Sequence, residues 1–433
     1  MEFVSEATAQ PPAAPPTNVR ATQLLNTDEL IAAELGAPDS WDRIIALAVR
    51  EQASDVHLTY QADGVHLALR LDGRIAEQGV LPRDQGGRLT NHVKVLANLD
   101  LGESRRPQDG HARIDLDGRQ VDLRVSILPT NHGQDTAVRI LDRESALRTV
   151  AQLGVLPQQM DALNQLLDSP SGLLLVTGAT GAGKTTTLYA LLQHLGDGTR
   201  KVVTIEDPIE YDMPRINQAE VNSRIGLDYA TILRSVLRQD PNVIMIGEIR
   251  DPETADIVVR AANAGRLVLA TSHTMHVAAA VESLISLGAN PHFVARAFRG
   301  AIAQTLVRRL CPYCTVRLDE TTDVKLLADL EILGDVTRLL PPDAPPALSY
   351  GRGCPYCRHT GYRHRLGVFE ILVADEETRT RISRGMTARE LYEYVRNHGM
   401  LTIAQAGRLA VARGLTTIEE LLLHVSEIWT GTP

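Results

Sequence analysis

Aromatic side chains are scarce in this sequence. Phe, Trp and Tyr make up 4% of 433 residues, too few for the stacking platforms that hold single-stranded nucleic acids. Positive charge is not in excess either. Lys and Arg number 44 against 53 Asp and Glu, a net charge of −9, which argues against a nucleic-acid coat because phosphate contacts need a basic face. No apolar run approaches the ~18–20 residues of a membrane-spanning helix, and no basic-then-apolar leader opens the chain. These absences lead us to expect a cytoplasmic protein. Only four cysteines are present, which excludes a disulfide scaffold in so long a chain. What remains is ordinary globular usage, 44% hydrophobic and 22% charged, over the length of about three average domains.

Residues 1–40 read as a flexible Pro/Ala-rich tail, with PPAAPP at 11–16. Order is expected from Trp41, where Trp41, Ile44, Ile45, Ala48 and Val49 fall on one helical face. The period then drops to two. Val65, Leu67, Leu69 and Leu71 lie opposite His66 and Arg70, and Val121, Leu123, Val125 and Ile127 alternate with Asp122, Arg124 and Ser126. Asp72-Gly73 marks a hairpin. Residues 41–145 are therefore expected to form an α+β domain whose half-exposed antiparallel sheet presents arginines.

From residue 172 the strands become continuous apolar runs: Leu173–Thr177, Val202–Ile205, Val243–Ile246 and Leu267–Ala270. Strands buried on both faces have this pattern, so residues 150–300 are expected to be an α/β core with a parallel sheet. Residues 301–375 hold two CPYC pairs around an acidic stretch with PPDAPP at 341–346. Residues 376–433 read as a helical region, with short helices at Thr387–Asn397, Thr402–Arg413 and Thr417–Val425. A hinge is expected near Leu141–Gly154.

The segment Gly178-Ala179-Thr180-Gly181-Ala182-Gly183-Lys184-Thr185, continued by Thr186, satisfies the P-loop pattern. It follows the apolar strand SGLLLVT and opens a helix with Leu188, Leu191, Leu192 and Leu195 at helical spacing. Glycines let the backbone wrap phosphates with its N–H groups inward, and the helix N-terminus adds a favourable dipole. Lys184 supplies a charge for the β/γ-phosphates of ATP, and the Thr185 hydroxyl suits Mg²⁺. Hydrolysis also needs a carboxylate. Val202–Ile205 runs into Glu206 and Asp207, and Val243–Ile246 into Gly247-Glu248. Both strand ends would lie at the carboxyl edge, where ligands bind. Gly247 stands where P-loop proteins usually carry an Asp, so the metal shell must be completed differently.

Cys311, Cys314, Cys354 and Cys357 form two CxxC pairs suited to tetrahedral Zn²⁺ in a structural site. The long gap between them is expected to loop out. A redox pair and a metal-free remnant are the other readings of these cysteines. Arg308, Arg309, Arg352, Arg358, Arg363, His364 and Arg365 gather around them and read as a solvated basic rim, or as a surface for phosphate or anionic lipid.

Taken in order, LLLVTGATGAGKTTTLYA, VVTIEDPIEY, LRQDPNVIMIGEIRD and LVLATSHT resemble the Walker A, Asp-box, Walker B and His-box segments of the ATPases of type II secretion and type IV pilus assembly. ASDVHL, KVLANLDLGESRRPQDG and VDLRVSILPTNHG resemble the domain before the motor, and RGCPYCRHTGYRHRLGVFEIL the tetracysteine segment after it, so that residues 41–428 are covered. The resemblance implies a RecA-like P-loop core preceded by a PAS-like domain. It implies a homo-hexameric, Mg-ATP-driven motor at the cytoplasmic face of the inner membrane, peripherally associated, working with a platform protein and the pilin or pseudopilin machinery.

By position, Glu248 would polarise water, Glu206 would be a second catalytic carboxylate and His273 would sense the γ-phosphate. Arg124 would swing onto the triphosphate, with Arg113 standing in for the arginine usual at His111. Two departures stand out: Gly265-Arg266 replaces the usual Gly-His pair, which bears on how the γ-phosphate is sensed, and the large docking domain common before Trp41 is expected to be missing, which bears on how the platform is found. A nucleic-acid translocase built on the same core, and a module that binds ATP without hydrolysing it, remain as alternatives.

Overall fold

The computed structural model describes residues 36–425 except 117, 143–146, 319–332 and 341–344. The tail at 1–35, part of the hinge stretch and most of the PPDAPP run lie outside the described residues. The chain divides between Leu147 and Arg148 into two units.

The first unit runs α1 (Ala37–Arg50), β1 (Asp55–Tyr60), β2 (Val65–Leu71), β3 (Arg74–Leu81), α2 (Arg83–Leu96), β4 (Gln108–Leu116), β5 (Arg119–Pro129) and β6 (Gln134–Asp142). Helix α1 begins at Ala37, ahead of Trp41, because Pro38 suits a first turn where no N–H bond is lost. Trp41, Ile44, Ile45, Ala48 and Val49 are buried against the sheet residues Val121, Leu123, Val125 and Ile127. At the β2–β3 hairpin Asp72 and Gly73 both have positive φ, as a type I′ turn requires.

The sheet order is β3-β2-β1-β6-β5-β4, antiparallel throughout. Its register sets one row across the strands: His111 opposite Arg124, Arg124 opposite Arg139, Arg139 opposite Asp55, and Asp55 opposite Arg70. Asp55 is the counter-charge in that row, with Arg139 Nε at 3.1 Å and Arg70 Nε at 3.4 Å.

The second unit opens with α3 (Pro157–Leu167), β7 (Gly172–Thr177), α4 (Lys184–Leu195), β8 (Val202–Glu206), β9 (Asn217–Glu220) and α5 (Tyr229–Val236). It continues through β10 (Val243–Ile246), α6 (Pro252–Asn263), β11 (Leu267–Thr271), α7 (Val277–Ser286), α8 (Pro291–Ala297) and β12 (Phe298–Leu310). Then come β13 (Thr315–Arg317), β14 (Ser349–Gly351), β15 (Tyr362–Val373), α9 (Glu376–Ser383), α10 (Ala388–Asn397), α11 (Ile403–Ala412) and α12 (Ile418–Leu422). The large sheet has the order β15-β12-β7-β11-β10-β8-β9. It is parallel except for β15, which runs against β12. The four apolar runs form its buried centre. It also continues past residue 300, because β12 carries the chain from the core to the cysteines without a break.

Strands β13 and β14 pair between the two cysteine turns. The stretch between the cysteine pairs does not simply loop out: Leu333, Val336 and Leu348 are buried with Leu366, Leu409 and Leu421. Leu333 and Val336 are only two apolar positions, and Leu348 lies well beyond them, so no period shows in the sequence. The carboxy-terminal helices start where their caps sit, with Thr387, Thr402 and Thr417 accepting from the N–H of Glu390, Gln405 and Glu420. Helix α12 is tied to β12 by Arg308, which gives Glu420 three bonds: its backbone N at 2.9 Å, Nε at 2.9 Å and a terminal nitrogen at 2.6 Å. Arg308 is 12% exposed and stacks over Tyr362, so it does not belong to the basic rim. Arg363 is buried too and lies over Tyr356.

Burial opposes charge on Glu420, but the Arg308 guanidinium holds its carboxyl below the usual range. A depressed carboxylate contributes stability above its unfolded value and loses it as pH falls through the folded one. Arg308→Met leaves Glu420 charged and buried, and is expected to lower the unfolding free energy of this unit by about 3 kcal/mol at neutral pH. The loss should shrink as pH falls through the ordinary carboxylate range, as denaturant titrations at several pH values will show.

Candidate functional site

Strand β7 delivers the chain to a glycine loop at the carboxyl edge of the sheet. A Cβ at Gly178 would come within 2.4 Å of the Gln304 carbonyl oxygen, so only glycine lets the loop start this close to β12. Gly183, at φ +89°, is the left-handed residue from which α4 springs. Lys184 folds over this loop, donating to the carbonyls of Gly178 at 2.7 Å and Ala179 at 3.2 Å. Burial lowers its pKa, and Glu248 acts in the opposite sense. Thr185 is exposed and Thr186 half-buried at the head of α4.

Three strands bring the remaining groups to the same edge. Lys184 Nζ lies 3.3 Å from His273 Nδ1, just past β11. His273 Nε2 lies 2.6 Å from Glu248 Oε1, just past β10. The second oxygen of Glu248 accepts from Arg250 Nε at 2.6 Å. One tautomer serves both contacts of the ring, with Nδ1 accepting from the ammonium and Nε2–H donating to the carboxylate. The result is a continuous line Lys184–His273–Glu248–Arg250. The reason for glycine at 247 is also visible: a Cβ there would lie 3.0 Å from the Tyr229 hydroxyl and 3.3 Å from the Ile205 carbonyl. Burial, with Asp207 nearby, pushes the Tyr229 hydroxyl up to about 12.

Glu206 is held differently. It is 4% exposed, and its oxygens accept from Tyr189, from Thr204 Oγ1 at 2.6 Å and from Gln218 Nε2 at 3.0 Å. Burial and the Glu206 charge push the Tyr189 hydroxyl far up, so Tyr189 remains a donor. The sequence offered little sign of these partners, since Tyr189 reads as a core position of α4. Arg124 and Arg113 belong to the first unit, where Arg113 Nε is bonded to Asp122 at 2.6 Å and Arg124 is half-buried opposite His111.

The four cysteines converge, with all their sulfurs within 4.8 Å of one another. Cys311–Cys354 measures 3.8 Å, Cys314–Cys357 3.7 Å and Cys354–Cys357 3.7 Å. Zn–S bonds of about 2.3 Å in a tetrahedron imply edges of about 3.8 Å, so the set fits Zn²⁺. Burial pushes the Cys311 thiol up to about 11 and the Cys314 thiol further up, whereas burial of Cys357 is outweighed by the backbone N–H groups of Cys354 and Gly361, which hold its thiol below the ordinary value. Tyr313 and Tyr356, from the two CPYC turns, pack edge to face at 4.6 Å.

The model of the type II/IV secretion system protein family matches residues 37–423. The chain belongs to that family. It is 40% identical over 406 residues to the type II secretion system protein E of Pseudomonas aeruginosa, covering 93% of this chain and 78% of the relative. It is 38% identical to the type IV pilus assembly ATPase PilB of Thermus thermophilus, covering 89% of this chain and 42% of the relative. The fold is that of the Legionella pneumophila ATPase DotB, with a TM-score of 0.64 at 20% identity over 89% of this chain and 95% of that one. Among the described residues no helix is long and apolar enough to cross a membrane.

Cys354→Ser removes one corner of the sulfur tetrahedron. Elemental analysis of the purified protein is expected to find about one Zn²⁺ per wild-type chain and little in the variant. Its thermal midpoint should fall, because structural zinc contributes folding free energy directly.

Proposed function

We propose that this chain is an ATPase, a Mg-ATP-driven motor of type II secretion or type IV pilus assembly. In this reading it works as a homo-hexamer at the cytoplasmic face of the inner membrane, with a platform protein and pilin or pseudopilin machinery as partners. The observation that carries the reading is the line from Lys184 through His273 to Glu248, which joins the phosphate loop to a carboxylate across three parallel strands. It stands beside family membership over most of the chain.

The loop N–H groups of residues 178–186 and the head of α4 would hold the triphosphate. Lys184 would exchange its two loop carbonyls for phosphate oxygens. Thr185 would help to hold Mg²⁺, whose charge offsets that of the phosphates. Glu248 would orient and accept a proton from the attacking water. His273, bonded to both Lys184 and Glu248, would register whether a γ-phosphate has drawn Lys184 away. Glu206 would be the second catalytic carboxylate, its oxygens accepting from Tyr189, Thr204 and Gln218. Arg124 would supply the positive charge that a P-loop core needs for fast turnover, since an arginine on the transferring group raises rates by roughly 10³–10⁵. The four cysteines would hold structural Zn²⁺.

Steady-state ATPase assays against enzyme concentration test this reading. The rate per subunit is expected to rise with assembly, to ignore added DNA, and to fall by at least about 100-fold in Glu248→Gln. Stimulation by DNA would favour a nucleic-acid translocase, and absence of turnover a module that only binds nucleotide. Arg124→Ala is expected to retain ATP binding and lose most turnover. Wild-type kcat in that variant would remove Arg124 from the mechanism.

A further inference from the structure

Both ends of the phosphate loop press on one residue outside it. Gln304 follows Ala303, which pairs with Thr177 in the sheet, so its backbone lies beside Gly178 and admits no Cβ there. Its side chain reaches the other end of the loop. Nε2 donates to the Ala182 carbonyl at 2.7 Å, and a Cβ on Gly183 would lie 3.2 Å from that nitrogen. Gln304 is 2% exposed. Its Oε1 is buried and, among the described residues, has no hydrogen-bond partner. A half-satisfied buried amide costs stability that an apolar side chain of the same length would not. What it gives in return is the donor on Ala182.

We propose that Gln304 is a positioning residue for nucleotide binding, locking the Ala182–Gly183 peptide with its N–H toward the phosphates. The inference deepens the nucleotide-binding reading and rests on it. In a trans peptide the C=O of one residue and the N–H of the next point in opposite directions. Holding the Ala182 carbonyl outward against β12 turns the Gly183 N–H to the concave side of the loop. Gly183 has the conformational freedom of glycine at φ +89°, so its peptide plane does not hold itself. Without the amide donor the plane rotates, and the cradle loses one of its N–H groups for part of the time. ADP and ATP both present phosphates to that position, so both should feel the loss.

The test compares full-length wild type with Gln304→Met, which keeps length but has no donor, and Gln304→Glu, which keeps shape but sets acceptor against acceptor. Binding of a fluorescent ADP, KM and kcat for ATP, and the thermal midpoint without nucleotide are measured for each. Gln304→Met is expected to weaken ADP binding and raise KM by about tenfold, with a smaller loss in kcat and an unchanged or raised midpoint. Gln304→Glu should weaken binding further. ADP affinities within about twofold of wild type in both variants would overturn the proposal. So would an affinity loss that merely follows a falling midpoint. A wild type that binds no ADP would overturn the nucleotide reading itself, and this inference with it.

Discussion

Backbone N–H groups can grip a triphosphate only where the chain leaves a rigid support with no side chain in the way. Strand β7 is that support. It lies inside the sheet between β12 and β11, and Leu173, Leu174, Leu175 and Val176 are fully buried. The loop it carries is therefore anchored at its start by two neighbouring strands and at its end by the head of α4. The side chains described around the loop come from these flanks. The β11 side supplies His273, the next strand out supplies Glu248, and the β12 side supplies Gln304. A parallel sheet brings them together because all its strands end at one edge.

That edge was legible in the sequence because each central strand is mostly apolar and stops at a polar turn. The glycine loop, the carboxylates at the strand ends and each CxxC pair could be picked out because their spacing is local in sequence, whereas His273 was named only by the family resemblance. The first sheet was legible through alternation, as in Val121 to Ile127. Strands β12 and β15 were not. FRGAIAQTLVRRL mixes buried, half-buried and charged positions because its first half lies in the core and its second half meets α12. Gln304 was hidden as one polar residue in an apolar run. The enclosure of Glu206 was hidden because Tyr189 and Gln218 approach it from other elements, and the burial of Leu333 and Val336 because tertiary packing, not period, decides it.

Electrostatics explain why the site keeps its shape despite an unusual residue at 247. With a glycine there, Tyr229 closes the space beside Ile205 and Glu206. Arg250 and His273 then divide Glu248 between them, one on each oxygen. A carboxylate held at both oxygens has little rotational freedom, which suits the proposed role of Glu248 in orienting water. Tyr189 acts similarly on Glu206, because burial beside that charge keeps the phenol protonated and donating.

The His-box loop is also tied to the far end of the chain. Glu370 on β15 accepts from the N–H of Val277 at 3.1 Å, where α7 begins three residues after Thr274, and from the N–H of Ile403 at 3.2 Å, where α11 begins. The Tyr392 hydroxyl adds a third bond at 3.1 Å. A carboxylate that is 1% exposed at two helix N-termini is stabilised by both dipoles, and it would lose much by giving up either. Strand β15 begins close behind Cys357, and β12, its partner, ends at Leu310, next to Cys311. The phosphate loop, the His box, the tetracysteine turn and the terminal helices thus share two adjacent strands. A displacement of His273 that carried the start of α7 with it would have to move β15 as well, or break the contacts of the buried Glu370 carboxyl group.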